Sequence, residues 1–557
     1  MLLLTFAKSW TLLAFGLTCC YIQRSAVMAE VYSALSHTQR IRDIELELND
    51  ALQDYIEEQE TRLAAIKRFA TEVKHSVDLS AEGSPGSYIG HPVNMYLMIK
   101  RFVNEWPQVE KVVEEQSNSE AFLLDRLASS KSKFPTSEDL TGAITAIKRL
   151  QEVYALKPVD FSEGRFGFKP KTGYLLGPKD TYKIGRESYL DGDMVGTAEW
   201  MTETLRLMDL GVSNGAQAPR RTDVLDHLAF AEFKNGDGRK ALNHTLELIK
   251  IDPENTRAKN NLAFFTQEMK RDESKFTKKE EEKKNVPSYK WMKSRLSQDV
   301  FENFNWHVER DIYKRLCRGE KLPTSPQTPR RLMCWYFRGD PLCIIKPCKM
   351  ERVFTNPDIV IFRDVITDKE VDEVRQISEP LLNRATVHNP ITGHLETAHY
   401  RISKNCWLSG REHGEVIDRV ERRIAAMTRL NLETAEGFQV QNYGLAGQYD
   451  PHFDFSRDLA NSSLGSLGTG NRIATVLVWM SQVESGGATV FPYVGARILP
   501  QKGDAVFWHN LLRSGDGDFR TRHAGCPVLS GIKWVANKWI HEYGNEFHRP
   551  CSLRRDE

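Results

Sequence analysis

Residues 443–455 read YGLAGQYDPHFDF and contain the H-x-D triplet His452–Phe453–Asp454. Side chains two residues apart on a β-strand point to the same face, so His452 and Asp454 are expected to project together while Phe453 turns into the core. One imidazole and one carboxylate supply two of the three protein ligands of a 2-His-1-carboxylate iron site. Three other H-x-D/E triplets begin at His307, His394 and His413. The triplet alone is therefore weak evidence for a metal site.

A third ligand has to come from a later strand, and His523 lies 69 residues beyond Asp454. Lys533 follows in the strand-like run GIKWVANKWIH. Iron(II) with three protein ligands keeps coordination positions open for a bidentate 2-oxo acid and for dioxygen. The far carboxylate of 2-oxoglutarate needs a fixed cation, which Lys533 can provide through a charge-assisted hydrogen bond.

Several stretches around these residues occur in a fixed order: RATVHNPITGHLETAHYRISK (384–404), QNYGLAGQYDPHFDF (441–455), LGTGNRIATVLVWMS (467–481), GGATVFP (486–492), KGDAVFW (502–508) and TRHAGCPVLSGIKWVANKWIHE (521–542). With them, the chain from about Tyr313 to Cys551 resembles the catalytic region of collagen-type prolyl 4-hydroxylase alpha subunits. So many ordered stretches are far more specific than one triplet.

The resemblance implies a set of site residues and cofactors. Iron(II) is assigned to His452, Asp454 and His523, and 2-oxoglutarate to Lys533. L-ascorbate is implied as a further cofactor. Two more residues are expected to hydrogen-bond 2-oxoglutarate, namely Tyr443 and Thr489, for which ordinary core packing is the alternative. Three residues are expected near the substrate or behind the ligands: Arg472, Trp539 and His541.

The amino terminus, residues 1–29, has a sparse basic start, a short apolar run and small residues before Glu30. This pattern predicts a secretory signal peptide rather than a membrane helix, and no later segment is long and apolar enough to span a bilayer. With a formal net charge of +1 over 557 residues, no global electrostatic field favours nucleic-acid or membrane binding, and neither is expected. The chain ends in RRDE, which is not a K-D-E-L-type signal, so retention in the endoplasmic reticulum lumen is expected to come from a partner.

Seven of the nine cysteines lie beyond the signal peptide, and an oxidising compartment permits disulfides among them. The resemblance implies two bridges, Cys317–Cys334 and Cys526–Cys551, and leaves three cysteines over: Cys343, Cys348 and Cys406. A zinc site from the first two of these lacks a partner C-x-x-C pair. Sequons at Asn243 and Asn461 are consistent with a luminal glycoprotein.

Residues 30–160 are predicted to form a helical domain. From Ser33 to Val77 apolar residues recur at near-heptad spacing without Gly or Pro, which predicts one long amphipathic helix. It could pack on its own domain or pair with a second subunit. The resemblance implies the second role, a dimerisation domain.

Residues 175–270 are predicted to form a second helical unit of two tetratricopeptide-like hairpins, YKIGRESYLDGDMVGTAEWMTETL and HLAFAEFKNGDGRKALNHTLELIKIDPEN. A plain helical spacer is the alternative. The resemblance implies a peptide-substrate domain, with Tyr189, Phe230 and Phe233 as the substrate-binding aromatic residues where better-known relatives carry more tyrosines. Residues 271–288 are nearly all charged or polar with both signs mixed, which predicts a charged linker over residues 271–310.

Residues 311–557 contain short apolar strands such as DIVIFRDVI, RIATVLVWM and DAVFWHN, separated by Gly- and Pro-rich turns. This pattern predicts a double-stranded β-helix (jelly-roll) with supporting helices such as DKEVDEVRQISEPLL. The whole chain is thus expected to be a multidomain α+β protein: a helical dimerisation domain, a tetratricopeptide-like domain and an oxygenase domain.

The resemblance implies a procollagen-proline 4-dioxygenase alpha subunit that acts on collagen-like X-Pro-Gly sequences. Its implied partner is protein disulfide isomerase as beta subunit, in a tetramer of two alpha and two beta chains. Two alternatives stay open: a 2-oxoglutarate oxygenase with another luminal target, and a collagen-binding chaperone without activity. A zinc peptidase is excluded, because HEYGN at His541 lacks the second histidine of H-E-x-x-H.

Overall fold

The computed structural model describes residues 33–81, 102, 105–114, 118–131, 134, 136–165, 176–212, 217–271, 306–322, 332–388, 395–397, 401–460, 462 and 464–554. The predicted signal peptide, the sequon at Asn461 and most of the predicted linker lie outside these residues. The chain divides into two compact units, chiefly residues 36–136 and residues 137–557. In the described parts of both, no helix is long and apolar enough to cross a bilayer.

The described part of the first unit is helical: α1 (Leu35–Ala81), α2 (Trp106–Glu114) and α3 (Asn118–Ser130). Helix α1 is 47 residues long, which confirms the predicted long helix. It meets α2 through the edge-to-face pair Phe69 and Trp106, whose ring centroids lie 5.0 Å apart. Large apolar side chains of α1 stay exposed: Leu46, Leu52, Ile56, Leu63 and Val77. All of these except Leu46 fall on one side of the helix, which suits pairing between subunits; the pairing stays a prediction.

The second unit begins with helices: α4 (Ser137–Tyr154), α5 (Pro158–Ser162), α6 (Pro178–Leu190), α7 (Met194–Asp209), α8 (Arg221–Lys234), α9 (Gly238–Ile251) and α10 (Thr256–Arg271). We call residues 178–271 the helical array. The pairs α6–α7 and α8–α9 are the two predicted hairpins, and α10 adds a fifth helix. Met201 of α7 is fully buried in a cluster with Leu225 of α8 and Leu248 of α9, so the array has a core of its own.

Helix α10 covers one of the aromatic residues that were predicted to bind substrate. Phe233 is only 9% exposed and stacks on the fully buried Phe265 of α10, with ring centroids 4.2 Å apart. In this position Phe233 packs in the core of the array, and its predicted role in substrate binding stays a prediction. Phe230 stays partly exposed on α8, where its ring contacts Tyr189 of α6.

The remaining part, residues 306–554, is called the barrel. Its helices are α11 (Trp306–Cys317), α12 (Pro341–Ile345), α13 (Asp368–Ser378), α14 (Gly410–His413) and α15 (Glu415–Thr428). Its strands are β1 (Met333–Phe337), β2 (Cys348–Thr355), β3 (Asp358–Arg363), β4 (Asn383–Arg384), β5 (Thr386–His388), β6 (Leu395–Thr397), β7 (Ser403–Leu408), β8 (Phe438–Tyr443), β9 (Tyr449–His452), β10 (Arg472–Trp479), β11 (Val483–Gly486), β12 (Thr489–Phe491), β13 (Ala496–Ile498), β14 (Ala505–His509), β15 (His523–Gly525), β16 (Val528–Gly531) and β17 (Trp534–His541). Helix α11 begins inside the predicted linker.

Two antiparallel sheets form the predicted jelly-roll. The large sheet has the strand order β1-β2-β3-β14-β10-β17-β8-β7-β4, and the small sheet has the order β13-β12-β15-β9. Their inner faces share one apolar core, in which Phe491 of the small sheet meets Trp508 of the large sheet edge to face at 5.3 Å. The outer face of the large sheet is covered by α13 and α15. Crossovers between the sheets bring strands β9 and β15 together, although they are far apart in sequence.

The predicted long-range cysteine pairs are wrong. Cys317 is bonded to Cys526, across 209 residues, while Cys334 and Cys551 carry free, exposed thiols. The end of α11 packs on the small sheet in a buried cluster that contains both bonded cysteines. Tertiary packing, rather than nearness in sequence, therefore selects the partner.

The three cysteines without a predicted partner also have definite states. Cys343 and Cys348 form the second disulfide, which closes the short segment that carries α12. This bond removes the two thiols that the zinc alternative required. Cys406 on β7 is buried and free, and burial raises the pKa of its thiol to about 11.

Candidate active site

The three predicted iron ligands come together in one cavity of the barrel. His452 ends β9, Asp454 follows it, and His523 begins β15, which pairs with β9 so that the two histidines are directly opposite. Nε2 of each histidine lies 3.6 Å from a carboxylate oxygen of Asp454. One ligand atom from each residue lies within 4.8 Å of the others.

Backbone carbonyls orient both imidazoles. Nδ1 of His452 donates to the carbonyl oxygen of Asp450 at 2.8 Å, and Nδ1 of His523 donates to that of Thr521 at 3.0 Å. Since a carbonyl can only accept, the proton of each neutral ring is on Nδ1 and the Nε2 lone pair faces the carboxylate. Burial lowers the pKa of His452 well below its usual value, which keeps this ring neutral.

Asp454 is held as an ionised carboxylate. Its Oδ2 accepts from the hydroxyl of Thr475 at 2.7 Å, and this hydroxyl accepts in turn from the amide of Asn510 at 2.8 Å. Burial by itself would raise the pKa of Asp454. At low pH, attraction to the protonated forms of His523 and His452, attraction to Arg472 and the hydrogen bond from Thr475 outweigh burial and bring the pKa to about 2. Two neutral imidazoles and one carboxylate are the donor set of non-haem iron(II), so the residues present fit this metal.

Lys533 lies immediately before β17 and faces the same cavity as the triad. It is 2% exposed, and its ammonium donates to the carbonyl oxygen of Gly487 at 2.7 Å and lies 4.7 Å from the centre of the Tyr443 ring. Burial lowers its pKa to about 7. One buried cation with donors left over suits the far carboxylate of 2-oxoglutarate.

Tyr443 and Thr489 also line this cavity, and their hydrogen bonds to 2-oxoglutarate stay a prediction. Burial raises the pKa of Tyr443 to about 12, so its hydroxyl stays protonated and can donate. Sequence reasoning missed Asn537, whose Oδ1 is buried in the cavity without a hydrogen-bond partner among the described residues. The sequence could have identified Asn537, because side chains alternate along a β-strand and Asn537, four residues after Lys533, points to the same face.

Arg472 and His541 share one carboxylate partner. Both bind Glu436, with nitrogen–oxygen distances of 2.5 Å and 2.9 Å, and His541 is fully buried. The guanidinium of Arg472 also lies 3.9 Å from the centre of the Trp539 ring and donates to the backbone oxygen of Asp454 at 3.3 Å. The predicted place of His541 near the substrate or behind the ligands stays a prediction. Glu436, which sequence reasoning missed, organises residues that support Asp454.

A second candidate surface lies on the helical array. The Tyr189 ring centroid is 4.9 Å from that of His227 and 5.7 Å from that of Phe230, and Tyr182 is 5.8 Å from His227. We call these four residues the aromatic row. All are only partly buried, so ring surface remains available to a ligand. Tyr182 was missed, although it precedes Tyr189 by two helical turns on the same face.

Three family models match the chain. Residues 34–167 match the prolyl 4-hydroxylase alpha-subunit N-terminal region, and residues 178–271 match the prolyl 4-hydroxylase peptide-substrate-binding domain. Residues 438–541 match the 2OG-Fe(II) oxygenase superfamily.

Curated relatives match almost the whole chain. Prolyl 4-hydroxylase subunit alpha-1 of Homo sapiens is 40% identical over 98% of this chain and 99% of its own length. The chain belongs to the prolyl 4-hydroxylase alpha subunit family. Subunit alpha-2 of Caenorhabditis elegans is also 40% identical, over 95% of this chain and 94% of its own length. Subunit alpha-2 of Gallus gallus is 40% identical over 98% of this chain and 99% of its own length.

The alpha subunit family and the 2OG-Fe(II) oxygenase region agree with the resemblance seen in the sequence. The oxygenase match spans the triad, Lys533, Tyr443 and Thr489. The predicted domain boundaries, 30–160, 175–270 and 311–557, stay predictions.

Proposed function

We propose that this alpha subunit hydroxylates C4 of proline in collagen-like X-Pro-Gly sequences, consuming 2-oxoglutarate and dioxygen and releasing succinate and carbon dioxide. The observation that carries the proposal is one cavity lined by the triad and by the buried ammonium of Lys533. This pairing suits a co-substrate with a chelating 2-oxo acid at one end and a carboxylate at the other. The human relative is named as a prolyl 4-hydroxylase subunit.

His452, Asp454 and His523 would hold iron(II). When bound, iron(II) and 2-oxoglutarate supply the oxidising chemistry that dioxygen drives, and L-ascorbate keeps the metal reduced. The chain supplies orientation. Backbone carbonyls hold the two imidazoles with Nε2 inward, and Arg472 holds the backbone of Asp454.

Lys533 would bind the far carboxylate of 2-oxoglutarate. A carboxylate beside the ammonium favours the protonated form, which reverses the effect of burial on its pKa. The hydroxyls of Tyr443 and Thr489 would donate to the same end of the co-substrate. Leu477 and Trp508 line the rest of the cavity with apolar surface and limit the entry of water.

The aromatic row would hold the proline-rich strand at a distance from the reaction. A polyproline II strand offers flat pyrrolidine faces, and aromatic surfaces are a common means of binding them. Tyr182 and Tyr189 are the two phenols of the row, and His227 and Phe230 complete it. The row offers few hydroxyls that could donate hydrogen bonds to peptide carbonyls. We therefore expect weak binding of poly(L-proline) and a preference for Pro-Pro-Gly-like or less proline-dense peptides.

Partner and compartment are part of the proposal. We assign the chain to the endoplasmic reticulum lumen, with protein disulfide isomerase as beta subunit in a tetramer of two alpha and two beta chains. The two disulfides suit an oxidising compartment. Asn243 is exposed on α9, where a glycan would meet solvent. Modification at Asn243 and at Asn461 stays a prediction.

The deciding experiment measures 2-oxoglutarate turnover by the co-expressed complex with a (Pro-Pro-Gly)-type peptide. We expect succinate and 4-hydroxyproline in equal amounts. Succinate without hydroxyproline would leave an oxygenase with another target. No turnover with any peptide, together with intact peptide binding, would favour the chaperone alternative.

A further inference from the structure

We propose that Tyr154, at the end of α4, is a positioning residue for the 2-oxoglutarate side of the site. It acts on Lys533 through Pro527 and Gly487. The inference rests on the proposed function, because it assumes that Lys533 binds the co-substrate. It adds a connection from the helical region to the catalytic cavity.

The connection consists of three hydrogen bonds. The hydroxyl of Tyr154 donates to the carbonyl oxygen of Pro527 at 2.5 Å, and the backbone N–H of Gly487 donates to the same oxygen at 3.0 Å. The carbonyl oxygen of Gly487 accepts from the ammonium of Lys533 at 2.7 Å. Tyr154 therefore contacts the acceptor that holds Gly487, and Gly487 holds the ammonium.

Gly487 depends on such contacts for its orientation. Gly486 and Gly487 are consecutive and both have positive φ, +76° and +66°. Glycine in this region is conformationally free, so neighbours must fix the direction of its carbonyl. A Cβ at Gly486 would lie 2.5 Å from the Pro527 oxygen and 2.6 Å from the Tyr154 hydroxyl, so the turn is packed directly against Tyr154.

Helix α4 is itself clamped on the barrel, so the hydroxyl of Tyr154 is presented from a firm base. Arg149 donates to the carbonyl oxygen of Ala446 at 3.2 Å, and Glu152 binds Arg310 and Lys314, each at 2.8 Å. Burial raises the pKa of Tyr154, so its hydroxyl stays protonated as a donor.

The other side of α4 meets the helical array. The indole N–H of the fully buried Trp200 on α7 donates to the side-chain oxygen of Gln151 at 2.7 Å. Helix α4 thus lies between the array that would hold the peptide strand and the turn that orients Lys533. The structure connects these two parts through one helix.

The test compares Tyr154→Phe with two other variants of the full-length chain in its native assembly. Tyr154→Phe removes the hydroxyl and keeps the ring. Tyr336→Phe is the matched control, because Tyr336 is 66% exposed on the edge strand β1. Lys533→Ala tests the underlying assignment. Binding of 2-oxoglutarate is measured by calorimetry with Mn²⁺ present, so that no turnover is involved.

We expect Tyr154→Phe to weaken 2-oxoglutarate binding about two- to ten-fold, the effect of one lost hydrogen bond. In steady-state assays, the KM for 2-oxoglutarate should rise by the same factor while kcat, the KM for peptide and the melting temperature change little. Tyr336→Phe should match the unchanged protein in every measurement.

Unchanged 2-oxoglutarate binding in Tyr154→Phe, with clear weakening in Lys533→Ala, would overturn the inference and leave the proposed function standing. A lower melting temperature with both KM values raised alike would reduce Tyr154 to a structural contact and also overturn it. If Lys533→Ala does not weaken 2-oxoglutarate binding, the assignment of Lys533 to the co-substrate is wrong, and the inference about Tyr154 is wrong with it.

Discussion

The barrel and the helical array each present a surface for the proposed reaction, and the two surfaces are built differently. In the barrel, His452 and His523 are each oriented by a hydrogen bond to a backbone carbonyl. In the array, Tyr189, His227 and Phe230 meet edge to face. Chemistry at one carbon atom requires fixed directions, whereas holding a repetitive strand requires only flat faces. Substitutions at the barrel site should therefore abolish hydroxylation, whereas substitutions in the aromatic row of the array should only reduce it.

The sharpest test of this contrast removes a ligand of the triad. His452→Ala, Asp454→Ala or His523→Ala should each reduce hydroxylation below a few per cent of the unchanged protein, because only three protein groups hold the metal. Circular dichroism and assembly should stay normal. The control is His548→Ala, an exposed barrel histidine, which should keep full activity. Substantial hydroxylation in any triad variant would refute the assignment.

The next test concerns covalent stabilisation, which the barrel has and the array lacks, since residues 30–316 contain no cysteine. Cys526→Ser should lower the free energy of unfolding of the barrel by about 4 kcal/mol, because it opens a very long loop. Cys551→Ser should change it by less than about 0.5 kcal/mol, because that thiol is free and exposed. Denaturant titration measures both. Equal losses would favour the Cys526–Cys551 pair expected from the sequence.

Substitutions of Lys533 test how much one buried, oriented charge contributes to 2-oxoglutarate binding. Lys533→Ala should weaken 2-oxoglutarate binding by about 1.5–3 kcal/mol, the contribution of a charge-assisted hydrogen bond. Lys533→Arg should also be weaker, since a planar fork does not replace a compact ammonium. Calorimetry at a single pH gives both values. Binding as tight as in the unchanged protein in both variants would move the co-substrate elsewhere.

The same residue predicts a pH dependence. In the ligand-free protein the pKa of Lys533 is about 7, so the ammonium loses its proton as the pH rises above that value. Binding needs the charged form, and the dissociation constant for 2-oxoglutarate should rise up to about tenfold per pH unit. In Lys533→Arg this rise should be absent, because guanidinium stays protonated. A flat profile in the unchanged protein would contradict the prediction.

The smallest effect is expected in the array. Phe230→Ala should weaken Pro-Pro-Gly peptide binding only a few-fold, since one aromatic contact contributes about 0.5–1.5 kcal/mol beyond its area. Phe233→Ala is the contrast: it should lower stability by about 3 kcal/mol, because Phe233 is core. Calorimetry and thermal unfolding separate the two. Micromolar binding of poly(L-proline), undisturbed by Phe230→Ala, would refute the proposed role of the row.

The amino-acid sequence by itself determined most of the catalytic site. Alternation along β-strands places His452 with Asp454, and the ordered stretches after them identify His523 and Lys533 through the family resemblance. The long helix α1 and the two hairpins of the array also follow from local periodicity. These features can be predicted because they depend on residues that are close in sequence, or on motifs that occur in the same order along related chains.

Only the tertiary structure decided which distant groups meet. Cys317 pairs with Cys526 because α11 packs on the small sheet, and Phe233 is buried because α10 covers it. Glu436 supports the triad, and Tyr154 reaches Pro527, through contacts that join different elements. Spacing along a chain does not encode such contacts, because the direction in which a helix presents a side chain depends on what packs against it.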